Sequence, residues 1–178
     1  MISGEKILKF LCIAISFIIL SVVIYFGVLI YNVYPKTSVS EDIKIYKELV
    51  ETVNFLPEVG ELNNYKEISF KYTGNEGLFS SYSYILKLSY SENDFKTEKI
   101  RVEENYYFDE VFSDKIKVDT FNIRVLDLEK YQLDYPKYLA FVGVSESTKE
   151  IVYIYYEDQD LDSIEDSWED FIINECNW

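Results

Sequence analysis

From Phe10 to Pro35 the chain carries no charged side chain, a run of 26 residues bounded by Lys9 and Lys36. An α-helix rises about 1.5 Å per residue, and roughly 20 apolar residues cross about 30 Å of hydrocarbon. Residues 10–31 meet that length, and fifteen of them are Leu, Ile, Phe or Val. Each of these favours insertion by roughly 0.3–0.6 kcal/mol near the helix centre, with no charge to oppose them. The stretch predicts a membrane-spanning helix, and it constrains the remainder of the chain, which must fold as a domain held at a membrane surface.

The flanks set the expected topology. Lys6, Lys9 and the terminal amine precede the run, while Lys36, Lys44 and Lys47 follow it and weaken the asymmetry. Because orientation follows Lys and Arg near the ends of a span, the N-terminus is expected inside. A cleaved signal peptide has an apolar region of about 7–15 residues and a small-x-small site, and neither fits the end Tyr31-Asn32-Val33-Tyr34. The expected organisation is a cytoplasmic tail over 1–9, a single-pass signal-anchor helix over 10–34, a juxtamembrane connector over 35–40 and an extracytoplasmic domain over 41–178. Cys12 lies inside the apolar run, which argues against lipoprotein processing, and Tyr25, Tyr31 and Tyr34 suit the headgroup level at the outer end.

Beyond residue 35 the chain has 15 basic and 31 acidic residues, a net charge of −16. Such a field repels nucleic acid and anionic headgroups and favours a basic protein partner. Abundant aromatic and β-branched residues accompany the acids, so the composition is that of an ordered domain. Histidine is absent, which removes imidazole from any catalytic triad, zinc site or near-neutral proton switch. Cys176 is the single cysteine beyond the span, so the domain is not built on internal disulfides.

Hydrophobic periodicity supplies the elements. Ile43, Tyr46, Leu49, Val50 and Val53 recur at offsets of three and four, predicting a helix over 41–55 that Ser38 or Ser40 caps. Period-two alternation predicts strands over 67–73 and 81–90, joined as a hairpin, with Tyr82, Tyr84, Leu86, Leu88 and Tyr90 on one core-directed face. Ser91 and Asp94 make a capping pair for a helix over 94–106. Residues 107–112 read as a strand or an irregular exit, 116–118 and 121–126 as short strands, and 127–134 as a polar connection. Two apolar runs, 138–144 and 151–156, read as a central hairpin, and a helix over 163–176 completes the domain with Trp168 as its main core anchor. The order α-β-β-α-β-β-β-α predicts an α+β domain with helices packed on one face of a largely antiparallel sheet.

One local pattern points to a cation. Asp158, Asp160, Asp162 and Glu169 fall at positions 1, 3, 5 and 12 of the run from Asp158 to Glu169, the oxygen spacing that calcium takes before an exiting helix. Over these twelve residues the chain resembles the EF-hand loop. It departs from that loop with Ser163 where the sharp turn takes Gly, Glu165 where an apolar residue ties the loop down, and a predicted strand in place of the entering helix. The competing reading is that these acids complement the N-terminal dipole of the last helix. No other cofactor is indicated. The carboxylates of Glu103-Glu104 and Asp109-Glu110 are dense, but spacing alone does not place them across a cleft. There is no Gly-rich phosphate loop, nucleophilic serine turn or cysteine-metal spacing, so nothing calls for enzyme chemistry. Two functional readings result: a membrane-anchored accessory or protein-interaction domain, and a cation- or small-ligand-responsive sensor domain.

Overall fold

The computed structural model describes residues 4–33, 36–51, 53, 55–58, 60, 62, 64–76, 80–111, 116–133, 137–158, 167–174 and 178. Helix α1 spans Gly4–Val33, and within it the stretch Lys9–Tyr31 is long and apolar enough to cross a bilayer. Its 23 residues reach about 35 Å along the axis. Among the described side chains of that stretch none is buried in the protein, and Phe10, Phe17, Ile18 and Tyr31 are all more than half exposed. An uncovered apolar helix of this kind takes its cover from lipid.

Two residues separate α1 from β1 (Lys36–Ser40), and the Lys36 ammonium lies 4.2 Å from the centre of the Tyr31 ring. The remaining elements are α2 (Ile43–Val50), β2 (Tyr65–Glu76), β3 (Ser81–Tyr90), α3 (Glu92–Asn105), β4 (Ile116–Val118), β5 (Phe121–Val125), a 3-10 turn (Leu128–Tyr131), β6 (Tyr138–Ser145), β7 (Glu150–Asp158) and α4 (Trp168–Asn174). The strands form one seven-stranded sheet in the order β1-β2-β3-β7-β6-β5-β4, antiparallel at every pairing. The domain is α+β, with helices packed on an antiparallel sheet, as the alternation of the strands and the three-and-four spacing of the helices predict.

Register sorts the side chains onto two faces. On the first, the rows Phe70–Leu86–Tyr153–Val142 and Ile68–Leu88–Ile151–Val144 run across the centre of the sheet. Tyr46 of α2 and Phe95 and Val102 of α3 close over them. The second face carries the row Ile85–Ile154–Phe141–Val125, with Tyr156 and Leu139 in the next row, covered by Phe171 and Ile172 of α4. Burial on both faces explains why 138–144 and 151–156 read as continuous apolar runs. The expectation that all helices lie on one face is corrected: α4 packs on the side opposite α2 and α3. Tyr84 and Tyr90 are buried and Tyr72, Tyr84 and Tyr155 stack across three strands at 5.2 and 5.6 Å, so the tyrosine face points into the core.

Three further expectations change. Residues 36–40, read as part of a connector, pair with residues 72–76 as an edge strand, because alternating Thr and Val suit a half-solvated ladder. The helix expected over 41–55 ends at Val50, with Asp42 rather than Ser38 or Ser40 accepting the Lys44 N–H. Past it, Val53, Phe55 and Leu56 are buried in irregular chain, and the Tyr46 hydroxyl holds that chain by donating to the Pro57 carbonyl. In α4, Phe171 and Ile172 are fully buried while Trp168 is only half-buried, so Phe171 is the anchor. The part of that predicted helix over 163–166, and Cys176, lie outside the described residues.

Candidate functional site

Helix α3 begins where Ser91 accepts the Asp94 N–H and ends with the Tyr106 N–H bonded to the Val102 carbonyl. Its buried residues Phe95, Glu98 and Val102 follow the i, i+3, i+7 spacing of one helix face. Glu98 is the polar member. Arg101 donates to its Oε1 from Nε at 2.9 Å and from Nη2 at 2.6 Å, and the Tyr153 hydroxyl donates to the same oxygen at 3.2 Å. Tyr106, one residue past the helix, donates its hydroxyl to the Phe55 carbonyl at 3.0 Å. Burial raises the Tyr106 and Tyr153 phenols above their ordinary range, so both remain neutral donors at physiological pH. This network pins the end of α3 to the sheet.

The chain leaving α3 is thereby aimed along the C-terminal end of β5, past the residues that pair with β4. The Asp109 N–H bonds the Val125 carbonyl and the Asp127 N–H bonds the Tyr107 carbonyl, each at 3.0 Å, flanking a bridge between Phe108 and Leu126. The Tyr107 N–H donates to the Tyr131 hydroxyl at 3.0 Å, which draws the 3-10 turn alongside. Between the end of α3, this strand-like segment and the 3-10 turn opens a cleft of about 670 Å³.

Carboxylates dominate its walls. Glu103 comes from α3, Asp109 and Glu110 from the exit segment, and Asp127 and Glu129 from the connection after β5, against the cations Arg124 and Lys130. Arg124 is already engaged: its Nη1 donates to Glu103 Oε2 at 2.6 Å, and its guanidinium lies 3.5 Å from the centre of the Phe108 ring. Tyr107 is 60% exposed and presents an aromatic surface at the rim. An aromatic surface ringed by carboxylates binds a cation by charge and by the ring quadrupole together. Arg124 on Phe108 shows that arrangement holding a guanidinium within the fold. Sequence reading picks out Glu103 and the pair Asp109-Glu110 but not the cleft, because Arg124, Asp127 and Glu129 join them only through strand pairing.

The described residues of the calcium-like spacing, Asp158 and Glu169, lie elsewhere. Asp158 ends β7, is 5% exposed and accepts the Tyr156 hydroxyl at 3.2 Å. Glu169 is exposed in the first turn of α4. Asp160 and Asp162 fall outside the described residues. Among the described residues no group of three or more His, Cys, Asp or Glu stands together as a metal set. No known protein family, curated protein or solved structure matches this chain.

Proposed function

We propose that the protein is a single-pass, membrane-anchored interaction domain on the outer side of the cytoplasmic membrane, and that the cleft between α3, β5 and the 3-10 turn receives a Lys- or Arg-bearing segment of a protein partner. The observation that carries this reading is the Arg124 guanidinium stacked on Phe108 and paired with Glu103 inside a cleft whose remaining charge is mostly carboxylate. A second cation from outside meets Asp109, Asp127 and Glu129 beside the exposed Tyr107 ring. The acidic field of the chain, 32 acids against 17 bases, raises the encounter rate with a basic partner. The two-residue link to α1 keeps the domain close to the bilayer, which suits a partner that is itself membrane-bound or surface-held.

The test is photocrosslinking in intact cells, with a benzophenone amino acid replacing Tyr107 in the full chain. The expected result is a discrete adduct to a basic protein, formed from outside the membrane and lost on Glu110→Lys with Glu129→Lys. An adduct unaffected by that charge reversal, or the absence of any adduct, overturns the reading.

A further inference from the structure

A second site, at the other edge of the sheet, does not depend on the acidic cleft. β1 ends at Ser40 opposite Tyr72, whereas β2 begins at Tyr65, so among the described residues no strand pairs with residues 65–71 of β2 on their outer side. Past Ser40 the chain is capped by Asp42 and enters α2, whose Tyr46 packs on Phe70 of the first face, with ring centres 5.4 Å apart. The helix therefore leaves the edge instead of running along it.

A groove of about 560 Å³ starts at this bare edge, beside Ser69 and Lys71, and crosses the second face over Ile85 and Lys87 to Phe121 and Trp178. The Trp178 and Phe121 rings meet edge to face at 5.0 Å and form its far wall. In a strand, alternate residues point their N–H and C=O groups outward, so the bare edge of β2 offers a ladder to an extended backbone. The groove beside it holds an apolar wall and two cations, Lys71 and Lys87. Glu41, Asp119 and Glu150 stand around it, yet the Lys87 ammonium has no ion-pair or hydrogen-bond partner among the described residues. In a chain with nearly two acids per base, a half-buried lysine left without a carboxylate marks the place for one from elsewhere.

We infer that this groove is a strand-addition site: an extended segment of a partner protein continues the ladder on β2, sets a carboxylate on Lys87 and lays an apolar side chain across Ser69 toward Ile85. Backbone pairing supplies the affinity, and the alternate side chains facing the groove supply selectivity.

The experiment pans a displayed library of random nine-residue peptides on the full chain in phosphatidylcholine nanodiscs, with empty nanodiscs and the Lys87→Glu protein as counter-targets. Expected are peptides that place Asp or Glu between apolar residues at alternate positions, slow amide exchange across residues 65–71, and weaken about tenfold on Lys87→Met, the loss of one ion pair worth about 1.4 kcal/mol. Peptides carrying Lys at the acidic position are expected to recover binding to Lys87→Glu. The inference is overturned if no peptide is enriched over the counter-targets, or if the enriched peptides protect other segments or ignore both substitutions.

Discussion

At Glu98 a carboxylate leaves water because Arg101 and Tyr153 accompany it. Replacing it with Ala strands a guanidinium and a buried hydroxyl, and the expected loss is about 2–3 kcal/mol in urea unfolding, with Glu98→Gln costing about 1 kcal/mol because an acceptor is kept. Tyr90 presents the opposite case. Its hydroxyl is buried with no hydrogen-bond partner among the described residues, so Tyr90→Phe is expected to leave stability unchanged or raise it by up to about 1 kcal/mol. Gly143 marks a third kind of constraint, set by space. A Cβ there would stand 2.7 Å from Val152 Cγ1 and 3.1 Å from Ile123 Cγ1, between packed β-branched side chains. Gly143→Ala is expected to destabilise by about 1–3 kcal/mol through overpacking, read from the same urea curves.

Among the elements, α4 shows how a short helix holds one face of a sheet. Its Phe171 ring meets Tyr156 edge to face at 5.0 Å and Phe141 at 6.2 Å, whereas Trp168 touches the same cluster from its margin. Phe171→Ala is expected to cost about 3–5 kcal/mol and Trp168→Ala clearly less, measured by thermal or urea unfolding of the two variants side by side. The ranking reverses what residue size alone leads one to expect. Helical spacing puts Trp168, Phe171 and Ile172 on one side of the helix, but which of them meets the sheet depends on where the chain re-enters after β7. The same holds for β1: five residues between a membrane span and a helix read as a tether until β2 is seen to supply the ladder beside them.

For the whole molecule, the dense set of buried tyrosines links stability to alkaline pH. Burial raises the phenols of Tyr84, Tyr90, Tyr106, Tyr153 and Tyr155 above the ordinary value of about 10. The unfolded chain therefore loses these protons first. Stability is fully present below about pH 10 and falls as pH rises beyond it, with a slope of up to about 1.4 kcal/mol per pH unit for each such tyrosine. The share of phenolate absorbance that belongs to these five tyrosines is expected to appear in one cooperative step together with loss of sheet structure by circular dichroism. Gradual titration of these tyrosines with the fold intact counts against the packing described for the first face.

Local pattern carried a large part of this structure. A candidate span in α1 follows from an uncharged apolar run, because its length and composition suit a bilayer, and the strands follow from period-two alternation, because a pleated backbone sends successive side chains to opposite faces. Ser91 with Asp94 located the start of α3 to within two residues, since unpaired N–H groups at a helix start select those side chains. Strand order, the split of helices between the two faces and both clefts were decided only in three dimensions. Arg124 and Phe108 are 16 residues apart in the chain and meet because β5 pairs with the exit from α3. Among the described residues the outer edge of β2 is bare because β1 is shorter than its partner and α2 turns away onto the first face. Periodicity reports which side of an element is buried. Which element covers it, and where cover is missing, depends on contacts between distant residues that no local pattern encodes.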